Sequence, residues 1–176
     1  MGSEPSNDSI PSSLYGSLQQ TMHPSIAQGV TSERHTLILN TYKEGAFEFF
    51  EWVKDRLGGI HLKDWSWGHA AFHWDIDDRY VIRDDFVFGG HVASIGDHVL
   101  ATTAMTVLAD SKDRFKTSRL ETQFFRPVRK PSVQINARVI NLSRSMINVE
   151  ADYINDEGKL AVRVSATQSR TYAGPL

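Results

Sequence analysis

The sequence predicts an α+β fold in which one antiparallel sheet packs its apolar face on a single long helix. A nearly continuous run of apolar and small residues from His91 to Leu108 is long enough to form one buried helix. After Lys112 the chain alternates apolar and polar residues in several successive segments, which is typical of strands. The 176 residues, 40% of them hydrophobic, suit one domain with its own core and a tail.

The N-terminal third of the chain lies outside this predicted helix and sheet. Residues 1–32 are rich in Ser, Pro, Gln, Gly and Asn, so they predict a flexible or loosely docked arm. Residues 33–58 predict a helical extension, because Thr41 and Glu44 have capping-box spacing and Gly58-Gly59 supplies a stop. The apolar stripe of this helix comprises Ala46, Phe49, Phe50, Val53 and Leu57.

Residues 59–176 predict the main domain. Apolar residues alternate with polar ones from Phe72 to Asp77, which is typical of a half-buried strand. The long helix follows over residues 90–108, and the small residues along it indicate close packing on the sheet. Because apolar residues occur nearly all round this helix, we expect it to be largely buried.

Four strands follow the long helix. The first covers residues 119–125 and ends at Arg126-Pro127, because proline cannot continue a ladder of hydrogen bonds. The other three are predicted over residues 133–139, 147–153 and 160–166. The turn at residues 155–158 joins the last two, and the whole favours an antiparallel meander.

Asp97 is the one acidic residue in the interior of the predicted helix. The residues three and four positions to either side are small or apolar, so the sequence predicts a buried carboxylate. Such a group is costly unless it is hydrogen-bonded, protonated or employed in catalysis. A structural role and a catalytic role both remain open from the residues alone.

Gly89-Gly90 stands where this helix begins. The first amides of a helix have no internal partners and lie at the positive end of its dipole, so they can stabilise an oxyanion. An ordinary glycine-rich helix start is the alternative interpretation. Gly90 and Asp97 are seven residues apart, or about 10 Å along the helix axis. One copy of the helix can hardly bring both to one reacting group, whereas two antiparallel copies across a dimer could.

Three segments carry a resemblance to a known family. Residues 88–97 resemble a His-Gly-Gly-(six residues)-Asp segment, residues 123–127 resemble a strand that ends in Arg-Pro or Ser-Pro, and residues 156–161 resemble a late hairpin. In this order and spacing they are similar to hotdog-fold acyl-CoA thioesterases of the 4-hydroxybenzoyl-CoA and phenylacetyl-CoA thioesterase group. The resemblance covers residues 59–172.

The resemblance implies a hotdog fold, a homodimer or a dimer of dimers, and hydrolysis of an acyl-CoA. Asp97 is then the nucleophile or general base, and the Gly89 amide polarises the thioester carbonyl from the partner subunit. Thr117 matches a hydroxyl residue that helps to position the water or the acyl group. CoA is part of the substrate, and no cofactor is implied.

The sequence departs from the family pattern at the helix start. Phe88 stands in place of the histidine before the glycines, and Ile82 stands where an asparagine is frequent. His91 could substitute for that histidine or be an ordinary surface residue. The expected substrate-binding residues are Phe88, Gly90, His91, Arg126, Arg129 and Lys130. The last three could meet the phosphates of CoA or form a solvated basic loop.

Composition and missing motifs exclude several other classes. The chain has no cysteine, which removes thiolate metal sites and cysteine nucleophiles and is compatible with a cytoplasmic location. A formal net charge of -2 gives no general attraction to nucleic acid. No apolar run has the length of a membrane span, so we expect no membrane contact. His69 and His73 would be about 13 Å apart in a strand, so we expect no metal site there.

Two rival functions stay open from the sequence. A hotdog protein could bind acyl-CoA or another hydrophobic ligand without hydrolysing it, because a fold does not fix a function. A hotdog dehydratase or hydratase usually presents a histidine with an acidic residue near the helix start, which His91 and Asp97 only loosely imitate.

Overall fold

The computed structural model describes residues 26–46 and 48–171. Two helices, α1 (Glu33–Lys43) and α2 (Glu48–Leu57), precede a hairpin of β1 (Ile60–Ser66) and β2 (His69–Asp75). The long helix α3 (Gly89–Met105) follows, and the chain continues through β3 (Arg114–Phe124), β4 (Ser132–Leu142), β5 (Met146–Ile154) and β6 (Leu160–Thr171). This order confirms the α+β prediction, divides the predicted helical extension into α1 and α2, and adds β1, which the sequence pattern did not reveal.

The six strands form one antiparallel sheet in the order β1-β2-β4-β5-β6-β3. Only β4, β5 and β6 follow the predicted meander. β3 pairs with β6 rather than with its neighbour in sequence, β4, so the connection at residues 125–131 leads from the sheet edge to its interior. The expected simple meander of four strands is therefore wrong in this one pairing.

Helix α3 packs against one face of the sheet, in contact with β2, β3, β4, β5 and β6. Alternate residues of the strands face this helix and are buried, as the burial of β4 up to Val139 and of β5 illustrates. At Gly96 a Cβ atom would lie 2.7 Å from Cγ1 of Val164 on β6, so no side chain fits there. The small residues of α3 therefore allow the close packing that the sequence predicted, and the sheet wraps the helix as in a hotdog fold.

The N-terminal extension contains two helices rather than one. α1 begins after Ser32, whose side chain accepts a hydrogen bond from the His35 amide. The predicted capping box is wrong, because the Thr41 hydroxyl donates to the carbonyl of Leu37 inside α1 and Glu44 is the C-terminal cap of that helix. Gly58 and Gly59 end α2 with positive φ angles of 63° and 59°, as predicted.

Only part of the predicted apolar stripe can be compared with the structure. Val53 is buried and Leu57 packs against the core, whereas Ala46 lies exposed between α1 and α2. The side chains of Phe49 and Phe50 lie outside the described part of the chain.

The predicted arm lies mostly outside the described residues. From residue 26 onwards the chain is docked on the main domain, with Ile26 buried and the amide of Ser32 donating to the carbonyl of Leu108 at 2.8 Å. The hydroxyl of Thr31 donates to the carbonyl of Thr106 at 2.5 Å. None of the described helices combines the length and the apolar character that crossing a membrane requires.

Candidate active site

Asp97 lies midway along α3, where its Oδ1 accepts a hydrogen bond of 2.7 Å from the hydroxyl of Thr117 on β3. The fold thus brings together two predicted site residues that are twenty positions apart in sequence. Asp97 is partly exposed rather than buried, because its side chain faces an open cavity. The expectation of a fully buried carboxylate is therefore wrong.

A β-bulge sets the direction of the Thr117 side chain. Thr117 pairs with Gln168 of β6, and Arg119 pairs with the preceding residue Thr167, so Ser118 is an extra residue without a partner in the ladder. Side chains in a regular strand alternate between faces, yet Thr117 and Leu120 both line the cavity although they are three residues apart. The extra residue at Ser118 accounts for this, because it shifts the alternation by one position.

The cavity beside Asp97 has a volume of about 690 Å³, within the range of small-molecule sites. Its walls come from α2, α3 and β3 and are mainly apolar. The lining residues are Trp52, Leu57, Ala93, Ser94, Asp97, His98, Ala101, Thr102, Met105, Thr117 and Leu120. Trp65 and Trp67 do not line this cavity; their indole nitrogens donate hydrogen bonds to Oδ1 of Asn40 and to the carbonyl of Ala27.

Gly89 is the first residue of α3, and Phe88 is the N-terminal cap without a side-chain hydrogen bond. Among the described residues, none accepts a hydrogen bond from the amides of Gly89 and Gly90. Gly89 precedes Asp97 by eight residues, or about 12 Å along the helix, and it does not line the cavity. Within one chain, the free amides and the carboxylate therefore do not meet.

Aromatic side chains surround the start of α3. The exposed fractions of Phe88, Phe124 and Phe125 are 59%, 52% and 54%, which is high for such large apolar groups. A Cβ atom at Gly90 would lie 2.6 Å from the ring of Phe88, and one at Gly89 would lie 3.2 Å from the ring of Phe124. Both glycines therefore keep the backbone of the helix start close to these rings.

His91 is held by packing rather than directed into the cavity. Its ring stacks on that of Tyr80 with centroids 3.5 Å apart and an interplanar angle of 6°. Its Nε2 donates to the carbonyl of Leu57 at 3.2 Å, and burial lowers the pKa of the imidazole. The structure thus separates this predicted substrate-binding residue from Asp97.

The three predicted basic residues lie in the connection from β3 to β4, which runs beside the segment that leads into α3. There Val87 donates its amide to the carbonyl of Val128. Arg126 donates to the carbonyl of Leu160 at 2.7 Å, and the guanidinium of Arg129 lies 4.0 Å from the centroid of the Phe86 ring. Lys130 pairs with Asp78, which raises the pKa of the lysine.

His98 is a cavity residue that the sequence pattern did not reveal. It follows Asp97 on α3, and its Nε2 lies 2.8 Å from the hydroxyl of Tyr42 on α1. Burial lowers the pKa of His98 to about 4, although the nearby Asp97 acts in the opposite direction. Burial also raises the pKa of Tyr42, so both rings are neutral near pH 7. Tyr42 and His98 meet only because α1 packs on α3, and a local sequence motif cannot show such a contact.

Protonation of His98 is expected to cost stability as the pH falls. In the folded chain its pKa is about 4, below the ordinary value of 6.5, so the unfolded chain takes up this proton first. The stability due to the neutral ring is complete above pH 6.5 and is lost between pH 6.5 and about 4. The difference between the two pKa values corresponds to roughly 3 kcal/mol of the free energy of unfolding.

Urea denaturation of the wild type and of His98→Gln, each at neutral and at acid pH, measures this loss. The glutamine reaches the position of Nε2 but does not titrate, so the variant is expected to lose less stability on acidification. Histidines 35, 61, 69 and 91 also have lowered pKa values, but both proteins share them. Equal losses in the two proteins would contradict the prediction.

Comparisons with known proteins agree with this fold. Residues 85–162 match the family model of the thioesterase superfamily. A phenylacetic acid degradation-related protein from Ralstonia eutropha is 25% identical, with a TM-score of 0.63 over 74% of this chain and 98% of that one. The search of curated proteins found no match to the sequence.

Two further solved structures share the fold. Zebrafish thioesterase superfamily member 2 is 17% identical, with a TM-score of 0.64 over 74% of this chain and 96% of that one. A Streptococcus mutans protein bound to acetyl-CoA is 13% identical, with a TM-score of 0.58 over 64% and 88% of the two chains. The predicted resemblance to hotdog thioesterases and the predicted hotdog fold are both confirmed.

Proposed function

Because residues 85–162 match the family model of the thioesterase superfamily, we propose that this chain hydrolyses an acyl-CoA or a related acyl thioester to the free acid and CoA. The observation that carries the proposal is the hydrogen-bonded pair of Asp97 and Thr117 on the wall of a mainly apolar cavity. A volume of about 690 Å³ leaves room for an acyl group beside the carboxylate. The solved relative that holds acetyl-CoA supports a CoA thioester as the ligand.

Asp97 can act in either of two ways. As a general base it takes a proton from water while the water oxygen attacks the carbonyl carbon. The oxyanion then collapses, the C–S bond breaks, and the CoA thiolate leaves and takes up a proton. As a nucleophile Asp97 attacks the carbonyl carbon, the C–S bond breaks, and CoA leaves as the thiolate and takes up a proton; water then hydrolyses the acyl–carboxylate anhydride to the free acid and the Asp97 carboxylate. In both routes Thr117 holds one carboxylate oxygen in place.

The oxyanion donor in this proposal is the Gly89 amide of a second copy of the chain. The free edge of β3 supports such an arrangement, since pairing of two β3 strands would extend the sheet and cover the exposed rings of Phe124 and Phe125. The resulting homodimer, or a dimer of dimers, would bring Gly89 of one subunit towards Asp97 of the other.

The connection from β3 to β4 is our proposed contact for CoA. Its residues Arg126, Arg129 and Lys130 place three cations beside the segment that leads into Gly89, and CoA carries phosphates. No cofactor enters this scheme, because CoA is part of the substrate. We propose the cytoplasm as its location, with which the absence of cysteine is compatible.

Incubating the protein with a panel of acyl-CoA substrates and a thiol reagent tests the proposed activity. Release of free CoA is the expected result. A changed acyl group on an intact thioester would identify a dehydratase or hydratase instead. Saturable binding without turnover would identify an acyl-CoA-binding protein. The presence of Phe88 in place of the family's histidine is the observation that favours this alternative.

We expect Phe88→His to fold and to keep or raise thioester hydrolysis. The Phe88 side chain is exposed at the cap of α3 and makes no hydrogen bond there, so an imidazole can replace it without disturbing the core. Measurements of kcat and KM on the wild type and the variant check this prediction. Phe88→Ala serves as the control, because it removes the ring without adding a polar group.

A folded Phe88→His variant without activity would show that Phe88 shapes the acyl site. The helix content and the melting temperature of each variant establish that it is folded.

A further inference from the structure

Gln168 is a buried polar residue that stands behind the Asp97–Thr117 pair. It lies on β6 directly opposite Thr117 in the ladder, and its exposed fraction is 0%. Its Oε1 lies 3.0 Å from the hydroxyl oxygen of Thr117. Among the described residues its Nε2 has no hydrogen-bond partner, which is costly for a buried donor.

A count of protons shows the difficulty of this arrangement. The Thr117 hydroxyl has one proton but faces two acceptors, Oδ1 of Asp97 at 2.7 Å and Oε1 of Gln168 at 3.0 Å. If the proton is shared or directed to Gln168, the carboxylate loses its donor. At the same time the amide nitrogen, which carries two protons, has no acceptor among the described residues.

A half-turn of the Gln168 amide frees the Thr117 proton for Asp97 and gives Nε2 an acceptor, and it leaves Oε1 in the buried position that Nε2 occupied. The oxygen and nitrogen of a glutamine side chain exchange places with almost no change in shape, and only the hydrogen-bond network distinguishes them. After the turn, Nε2 takes the position 3.0 Å from Thr117 and donates to its hydroxyl oxygen. The Thr117 proton is then committed to Asp97.

We propose that Gln168 is a positioning residue whose amide nitrogen donates to Thr117 and thereby directs the Thr117 hydroxyl onto Asp97. Gln168 is not among the residues that line the cavity, so it acts through Thr117 and does not touch the substrate. This inference rests on the proposed function for its catalytic meaning. The direction of the hydrogen bonds does not depend on that function and can be tested separately.

The catalytic test compares Gln168→Met, Thr117→Val and the double variant. Methionine and valine keep the approximate shape of the residues they replace but cannot take part in the chain of hydrogen bonds. Each single change is expected to lower kcat about 10-fold with KM nearly constant, which is the effect of one lost hydrogen bond of typical strength. Because both changes break the same chain, the double variant should be no slower than the slower single variant.

Two kinetic outcomes would overturn the positioning role. One is a Gln168→Met variant that is less stable but has the kcat of the wild type at a temperature where both are folded. The other is a double variant whose loss is the product of the two single losses, because the residues would then act independently.

The second test needs no activity. The side-chain amide resonances of Gln168 in a ¹H–¹⁵N spectrum should shift in Thr117→Val and remain close to the wild type in Thr117→Ser, which retains the hydroxyl. Amide resonances equally insensitive to both changes would mean that the oxygen of Gln168 faces Thr117, and the proposal would be wrong.

The two tests separate the possible failures. If the wild type hydrolyses no thioester but the amide resonances respond as expected, the proposed function fails and the hydrogen-bond chain stands. If hydrolysis depends on Asp97 but neither kcat nor the resonances respond to the changes, the positioning role fails and the proposed function stands.

Discussion

Replacing Asp97 with asparagine is expected to lower kcat by at least ~100-fold, the usual cost of removing a general base or nucleophile. The fold should survive, because the side-chain oxygen of asparagine can still accept the hydrogen bond from Thr117 and the site faces an open cavity. Steady-state hydrolysis of the best acyl-CoA found in the panel measures the effect.

Asp55→Asn is the matched control for this change. Asp55 is an exposed carboxylate on α2 outside the cavity, so its removal alters the net charge in the same way and should leave kcat unchanged. If Asp97→Asn folds normally and turns over substrate at the wild-type rate, Asp97 has a structural role and the proposed site is wrong.

Two inactive variants are expected to restore activity to each other when they are mixed. Asp97→Ala removes the carboxylate, and Gly89→Pro removes the amide proposed to face the oxyanion. In a mixed dimer one site receives both lesions and the other receives neither. Random reassortment makes half of the dimers mixed, so about a quarter of all sites should be intact under two-fold symmetry. Co-refolding should therefore recover roughly a quarter of wild-type turnover from two preparations that have none.

The backbone at position 89 suits proline, although the added Cβ would lie 3.2 Å from the exposed ring of Phe124, which must shift slightly. Gly89 is the first residue of α3, a position where proline is common because the amide has no partner within the helix. The preceding residue, Phe88, has φ -60° and ψ 129°, which is the extended conformation that a residue before proline prefers. Each parent variant must first be shown to be folded, dimeric and inactive. Verified mixed dimers without recovered turnover would rule out a site shared between subunits.

The sequence predicts those elements whose pattern is local and strongly periodic. The long helix and the four strands after it were found, because each repeats its own hydrophobic period over many residues. Helix α1 was not distinguished from α2 within the predicted helical extension, because much of its surface is polar and only three of its residues, His35, Leu39 and Tyr42, are buried. Strand β1 was missed because its alternation stops halfway, at the irregularity between Leu62 and Asp64.

The site shows the same limit. Asp97 and Gly89 stand out by their spacing on one helix, and Thr117 was reached through the family resemblance. Gln168 and His98 could not be found in this way, because their partners are distant in sequence and meet them only through the pairing of β3 with β6 and the docking of α1. Long-range strand order cannot be read from the period of single strands.

The unpaired residue in β3 makes the site depend on chain length as well as on side-chain identity. With Ser118 present, Thr117 and Leu120 share the face that looks onto α3. A relative that lacked one residue here could keep its threonine and still turn it to the opposite face, away from the carboxylate. Substitutions elsewhere in the strand would change the environment of the site. A single insertion or deletion at this point would instead decide whether the threonine hydroxyl can reach the carboxylate at all. The spacing along β3 is therefore as informative about activity in related chains as the presence of the threonine itself.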